Sequence, residues 1–122
     1  MKSLLLIFLG GGLGSSLRYL ISKYSNDYLS SLIFGTFVVN IVGCLIMGFI
    51  LGLSFRTNYL SQHQAVFLTS GFCGGFTTFS AFAAENYTLL KSGDIFQFAV
   101  YTISSVVVGI LAVALGFWLS RL

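Results

Sequence analysis

The sequence has 122 residues, of which 57% are hydrophobic and only 7% are charged, and its formal net charge is +3. Soluble domains carry about 25% charged residues, and a chain of this length could not bury so much apolar surface in its own core. The composition therefore excludes a soluble globular protein and predicts an integral membrane protein, and the small net charge does not suggest binding to nucleic acid.

Four apolar segments are long enough to cross a lipid bilayer, which takes roughly 20 residues of helix. Polar residues separate these segments, and they use nearly the whole chain. The apolar run after Lys2 lacks a small-residue cleavage site followed by a soluble domain, so we expect it to be a retained helix rather than a signal peptide. We predict an all-α membrane protein with one four-helix transmembrane domain (residues 1–122), whose spans cover about 4–22, 32–53, 65–89 and 96–119.

The first span carries closely spaced glycines and one arginine. Gly10 and Gly14 are four residues apart, a spacing that lets helix backbones approach closely, and the second and third spans repeat it. Arg18 lies near the end of the span. Its side chain either snorkels to the lipid headgroups or places positive charge at the mouth of a cavity, where it would concentrate anions.

Asn40 lies midway along the second span, in GTFVVNIVG (35–43). An amide at that depth needs a partner, because an unpaired polar group in hydrocarbon costs several kcal/mol. Two interpretations stay open. The amide either joins two helices through a hydrogen bond worth about 0.6–2 kcal/mol or donates into a water-filled pathway.

The third span contains residues that weaken a helix near its centre, in GFCGGFTTFSAF (71–82). Gly74, Gly75, Thr77 and Thr78 predict a local break, and irregular backbone at membrane depth is tolerated only where protein buries it or where it lines a cavity. A break frees backbone carbonyl groups, which are the usual ligands of alkali cations in membrane proteins.

Phenylalanines and one acid follow the predicted break. Phe76, Phe79 and Phe82 recur every three residues along one helical face. They form either a packing stripe or a row of electropositive ring edges that suits a small anion. Glu85 is the one acid well inside a span, and an intramembrane carboxylate is a functional candidate by default.

The basic residues do not favour one side of the membrane. Four spans place three of the six Lys and Arg residues on each face. Because an excess of positive charge normally orients a membrane protein, the chain either has one orientation set by a few dominant positions or inserts both ways. Transport sites often lie between inverted repeats, and two oppositely inserted copies would create that symmetry. An antiparallel homodimer therefore fits the sequence.

Four stretches of the sequence resemble the Fluc/CrcB family of fluoride channels, and the resemblance covers the entire chain. The third-span motif is the most specific of them, and all occur in the family's order. The chain is identified on this basis as a member of that family. The stretches are GGGLGSSLRY (10–19), GTFVVNIVG (35–43), GFCGGFTTFSAF (71–82) followed by Glu85, and Ser105 with Gly109.

The resemblance implies an antiparallel, dual-topology homodimer in the bacterial inner membrane, with two fluoride pores along the subunit interface. It implies passive export of fluoride, which lowers cytoplasmic fluoride. It also implies a structural sodium ion at the dimer centre, held by backbone carbonyls of Gly74 and Thr77. The pore roles fall on the amide of Asn40, the rings of Phe79 and Phe82, the polar track of Thr36, Ser80, Tyr101 and Ser105, the pore-end Glu85 and the vestibule Arg18.

The sequence departs from the family pattern at two positions. Ala81 stands where the family often has threonine, and Gly109 stands where some members have serine. Each departure removes a hydroxyl from the polar track. We expect conduction to survive with altered ion occupancy along the track.

Other functions fit the sequence less well. A small multidrug exporter, the main alternative, would couple protons to organic cations through a carboxylate deep in the first span, and that span has no acid. A non-transporting scaffold would leave Asn40 and the third-span break unexplained. Cys44 and Cys73 lie apart in apolar spans and His63 stands alone, so we expect neither a disulfide framework nor a metal site built from side chains. No constellation typical of an enzyme is present.

Overall fold

The structure, a computed structural model, describes residues 1–29, 32–56 and 59–122. These residues form helices and no strands, and the elements run in the order α1 (Lys2–Leu29), α2 (Leu32–Ser54), α3 (Gln62–Val66), a π-helix (Phe67–Cys73), α4 (Gly74–Phe76), α5 (Phe79–Ser92) and α6 (Ile95–Leu119). Within the described residues, four helical segments are long and apolar enough to cross a membrane. The predicted all-helical membrane class with four spans is confirmed.

Helix α1 continues past the C-terminal end of the first predicted span. The predicted span ends at about residue 22, whereas α1 ends at Leu29. Residues 23–29 are mostly polar but contain neither glycine nor proline. Such residues weaken the membrane segment without stopping the helix, because only glycine and proline carry a large penalty in a helix interior.

A tight turn joins α5 to α6. Gly93 ends α5 with a φ of 81°, the left-handed conformation that glycine adopts without strain. Its N–H donates to the Leu90 carbonyl at 3.1 Å, and the N–H of Asp94 donates to the Leu89 carbonyl at 3.0 Å. The Asp94 carboxylate then caps α6 by accepting the Gln97 N–H at 3.0 Å. This turn holds α5 and α6 antiparallel.

Glycines bring the helices together in two pairs. The first part of the third span, from α3 to α4, packs on α1, and α2 packs on α6. A Cβ added to Gly10 would lie 2.6 Å from the Phe67 carbonyl oxygen, and one added to Gly75 would overlap the Gly11 backbone. In the other pair, a Cβ on Gly48 would overlap the Val113 carbonyl. These contacts confirm the close backbone approach predicted from the small-residue spacing.

Few side chains are completely buried within one chain. Val39, Cys73 and Phe76 are the largest of them among the described residues. Most other large apolar side chains on the long helices point outward, as expected when lipid rather than protein is their solvent. Phe76 ends α4, so one of the best-packed residues lies directly before two residues with extended backbone, Thr77 and Thr78.

Candidate functional site

Two residues with extended backbone separate α4 from α5. Thr77 has φ and ψ of −81° and 159°, and Thr78 has −148° and 114°. The Thr77 hydroxyl donates back to the Cys73 carbonyl at 2.9 Å. The Thr78 hydroxyl accepts the Ala81 N–H at 3.2 Å and so caps the beginning of α5.

Asn40 of α2 bonds the extended residues from the side. Its Oδ1 accepts the Thr78 N–H at 2.8 Å, and its Nδ2 donates to the Thr78 carbonyl at 3.2 Å. In a continuous helix the Thr78 N–H would donate to the Gly74 carbonyl, four residues earlier. Here it donates to Asn40 instead. Since the Asn40 amide has two N–H donors, one remains beyond the bond to Thr78.

Side chains of α1 bond the backbone carbonyls that the two extended residues release. The Arg18 guanidinium donates from Nη1 to the Thr77 carbonyl at 3.0 Å. The Ser15 hydroxyl donates to the Gly75 carbonyl at 3.3 Å. Arg18 is half-buried, and its guanidinium lies beside the two extended residues.

A cavity of about 300 Å³ lies beside the extended residues. Its polar wall includes the Asn40 amide and Ser105, whose hydroxyl oxygen is buried without a hydrogen-bond partner among the described residues. The rings of Phe79 and Phe82, whose centroids are 5.8 Å apart, form part of its apolar wall. The centroid of the Tyr101 ring, which does not line this cavity, lies 5.2 Å from that of Phe82. Buried hydroxyl groups normally have partners, so the Ser105 hydroxyl marks a place where a ligand could accept a bond.

The side chain of Glu85, on α5, bonds both α2 and α6. Its two carboxylate oxygens accept hydrogen bonds from the Thr36 hydroxyl at 2.5 Å and the Tyr101 hydroxyl at 2.7 Å. Each of these hydroxyl groups has one proton to donate. Both protons are therefore directed at Glu85 in this arrangement and are not free to bind a ligand.

A second, larger cavity of about 530 Å³ also borders Thr78. Arg18, Thr36 and Ser80 line it, and the Ser80 hydroxyl lies 3.3 Å from that of Thr78. Thr78 lines both cavities. The predicted residues thus form three groups: an aromatic cavity with Asn40 and Ser105, a polar cavity with Arg18, and residues that line neither cavity. The last group is Gly74, Glu85 and Tyr101.

Several residues of this region were not predicted as site residues. Thr78, expected only as a helix-weakening residue, bonds Asn40, and Ser15 bonds the Gly75 carbonyl. Asn86 of α5 and Thr102 of α6 bond each other at 3.0 Å. Asn86 could have been found from the sequence, because a second amide inside an apolar span needs a partner for the same reason as Asn40. Ser15 offers no comparable signal, since serine is common in membrane helices.

Known proteins are similar to this chain over almost its full length. The family model described as CrcB-like protein, Camphor Resistance (CrcB), matches residues 5–117. A protein of Phocaeicola vulgatus named Fluoride-specific ion channel FluC is 52% identical, with 99% of this chain and 100% of that protein covered. Proteins of the same name from Bacteroides fragilis and Azobacteroides pseudotrichonymphae are 47% and 39% identical, each with 99% of this chain and 98% of the relative covered.

Proposed function

Because this chain belongs to the CrcB family, we propose that it is a fluoride-selective ion channel of the bacterial inner membrane, through which fluoride leaves the cell passively. The observation that carries the proposal is the unpaired, buried Ser105 hydroxyl in the cavity with Asn40, Phe79 and Phe82. Fluoride holds its water strongly, so a pathway must replace that water with compact donors while still letting the ion leave. Export through such a pathway lowers cytoplasmic fluoride.

The two cavities suggest a route for the ion. Arg18 supplies positive charge to the larger, polar cavity, which we take as the vestibule that attracts anions from the water phase. The Ser80 hydroxyl lies 3.3 Å from that of Thr78, which lines both this vestibule and the aromatic cavity. There the free N–H of Asn40, the Ser105 hydroxyl and the positive ring edges of the phenylalanines would take over the ion.

The proposed pore wall also includes Thr36, Tyr101 and Glu85. Unlike the free donors, the two hydroxyl groups of this set already donate to the Glu85 carboxylate. Their hydroxyl-to-carboxylate bonds join α2, α5 and α6 at one point. We assign Glu85 to the end of the pore, where its oxygens hold the two hydroxyls in place. Rotation of the carboxylate would release both O–H donors toward an anion.

The proposed functional unit is an antiparallel, dual-topology homodimer. Phe79 is 79% exposed within one chain although it lines the aromatic cavity, and Gly74 and Ser80 are exposed beside it. A second copy over this surface would close the cavity. The balanced basic residues support insertion in both orientations, which an antiparallel pair requires.

Reporter fusions test this topology. A C-terminal reporter should give both cytoplasmic and external populations, and two lysines added to the 54–64 loop should make one orientation dominant and reduce fluoride flux. Co-expression with an oppositely biased copy should restore the flux. A wild-type chain with a single orientation would rule out the antiparallel dimer.

We further propose that the break in the third span holds a structural sodium ion between the two copies. The donors fit: the Gly74 carbonyl lacks its usual helical bond from Thr78, and the Thr77 carbonyl has a second lone pair beside the one that Arg18 uses. Among the described residues, no group of three His, Cys, Asp or Glu could hold a metal ion. A bound sodium ion would supply fixed positive charge and join the subunits.

Fluoride flux from liposomes containing the purified protein tests the channel function. A fluoride electrode should record rapid efflux when a potassium ionophore balances the charge, and chloride should pass poorly under the same conditions. A multidrug exporter would instead move organic cations out in exchange for protons. The family does not favour that alternative, and the apolar part of α1, Lys2–Ser25, contains no acidic residue. Absence of fluoride flux would disprove the channel.

A further inference from the structure

Asn86 and Thr102 form a bond between α5 and α6 that the proposed ion pathway does not use. Asn86 is only 6% exposed. Its Oδ1 accepts the Thr102 hydroxyl at 3.0 Å, and its Nδ2 donates to the Phe82 carbonyl of its own helix at 3.1 Å. Both ends of the amide are bonded, so its orientation is fixed.

Most threonines that donate a hydroxyl bond in the described residues use a different geometry. They donate to the carbonyl four residues earlier in the chain, the local bond that threonine commonly makes in helices. Thr36 and Thr102 instead donate to another helix, and their acceptors are the adjacent residues Glu85 and Asn86. The threonines with the local bond are Thr69, Thr77 and Thr88.

The Asn86–Thr102 bond lies directly beside the proposed pore wall. Tyr101 precedes Thr102 and donates to Glu85, which precedes Asn86, at 2.7 Å. Asn86 also bonds the backbone carbonyl of Phe82. The ring centroid of Phe82 lies 5.2 Å from that of Tyr101. Two adjacent residues of α5 thus bond two adjacent residues of α6.

We propose that Asn86 and Thr102 are positioning residues that hold the Phe82–Glu85 turn of α5 in register with Tyr101 of α6. The inference rests on the proposed channel function, because it concerns the wall of that pathway. Neither residue lines the two cavities of the candidate site. Without their bond, Glu85–Tyr101 is the single side-chain hydrogen bond from α5 to α6 in the part of the chain that the structure describes.

The test combines three substitutions in fluoride-flux measurements over a range of fluoride concentrations. Asn86→Leu and Thr102→Val each remove the bond while keeping similar side-chain size, and Tyr101→Phe removes the neighbouring hydroxyl. An interhelical bond of the usual strength in membranes corresponds to about a three-fold change in an equilibrium. We therefore expect about a three-fold lower maximal flux for each single variant of the pair and no further loss when both are combined.

The effect of Tyr101→Phe separates positioning from simple stabilisation. It should be smaller in the Asn86→Leu background than in the wild type, because the register it depends on is already lost. Thr88→Val is the matched control, since it removes a hydroxyl of α5 bonded to its own helix at Ala84, and it should keep wild-type flux. Thr102→Val preserves the side-chain shape and keeps the test possible if Asn86→Leu does not fold.

Two outcomes would overturn the inference. One is an unchanged flux per folded protein with only a lower thermal stability. The other is a Tyr101→Phe effect of equal size in both backgrounds. If the wild type itself conducts no fluoride, the proposed channel function fails, and this result is distinct from a failure of the positioning role alone.

Discussion

The two halves of the third membrane segment are held in place by different kinds of contact. Before the two extended residues, the π-helix and α4 lie against α1, with glycine backbones in contact at Gly71 and Gly75. After them, α5 meets α2 and α6 through side-chain hydrogen bonds of Glu85 and Asn86. Among the described residues, the first half has one side-chain hydrogen bond to α1, from Ser15 to the Gly75 carbonyl, whereas α5 contains no glycine.

This difference separates the proposed scaffold from the proposed pathway. A contact between glycine backbones depends on sterics, because an added methyl group would overlap backbone atoms, and it positions the helix without placing a side-chain donor in either cavity. A contact through hydroxyl, amide and carboxylate groups is directional and can exchange partners. The candidate pathway therefore begins where the contacts change from backbone to side chain, at Thr77 and Thr78.

The largest effect is expected from breaking the scaffold half. In Gly14→Val, the new Cβ would overlap the Phe72 carbonyl and lie 2.8 Å from the Phe76 nitrogen. Overpacking typically costs about 1–3 kcal/mol, and the cost here should reach the upper end because backbone atoms cannot move aside. We expect gel filtration in detergent to show loss of the folded protein.

Gly109→Ala is the matched control for this substitution. Its Cβ would meet the Cys44 sulfur at 3.6 Å, an ordinary van der Waals contact. The protein should elute as the wild type does. Normal folding of Gly14→Val would show that the glycine contacts do not hold the scaffold.

Asn40→Asp should abolish most fluoride flux while the protein still folds. The carboxylate keeps the acceptor for the Thr78 N–H but loses the donor to the Thr78 carbonyl, and it adds negative charge beside the aromatic cavity. Juxtaposed like charges cost several kcal/mol, so we expect at least about a 100-fold lower flux. Wild-type flux in this variant would place the pathway away from Asn40.

Phe79→Ile and Phe82→Ile should each reduce fluoride flux by roughly ten-fold, because an aliphatic side chain lacks the positive ring edge. Phe96→Ile on α6 is the control, since Phe96 is 81% exposed and Phe79 is 79% exposed, but Phe96 lines neither cavity. Gel filtration should show the same oligomer for all three variants. Equal flux in all three would mean that the rings serve packing alone.

The scaffold half was more predictable from sequence than the pathway half. The four spans follow from composition, and the close approach at Gly10 and Gly75 follows from glycine spacing, because both properties are local. The bond between Asn40 and Thr78 joins residues 38 positions apart. Sequence showed that the amide needs a partner but could not choose one, since the choice depends on how α2 and the third segment pack.

Glu85 illustrates the same limit. Its depth in the span marked it as a candidate, and Thr36 and Tyr101 were assigned to the same pore through the family resemblance. That both hydroxyls donate to its carboxylate, and are thereby withdrawn from an anion, could be seen only with three helices in place.

The smallest effect on flux is expected from sodium, because the proposed ion binds the backbone carbonyls of Gly74 and Thr77 and uses none of the proposed fluoride donors. Carbonyl dipoles of Gly74 and Thr77 supply the attraction, so no carboxylate is required. An ion that binds only the folded dimer raises its stability by about 2.7 kcal/mol at 100 times its dissociation constant. The thermal midpoint of the purified dimer should therefore rise with sodium concentration, and sodium removal should lower fluoride flux without changing its selectivity.

Glu85→Gln should keep the sodium-dependent rise, since the Glu85 side chain bonds Thr36 and Tyr101 and not the carbonyls of Gly74 and Thr77. A midpoint that responds equally to sodium and to N-methylglucamine would disprove the ion, whereas a rise lost in Glu85→Gln would move it from the carbonyls to the carboxylate.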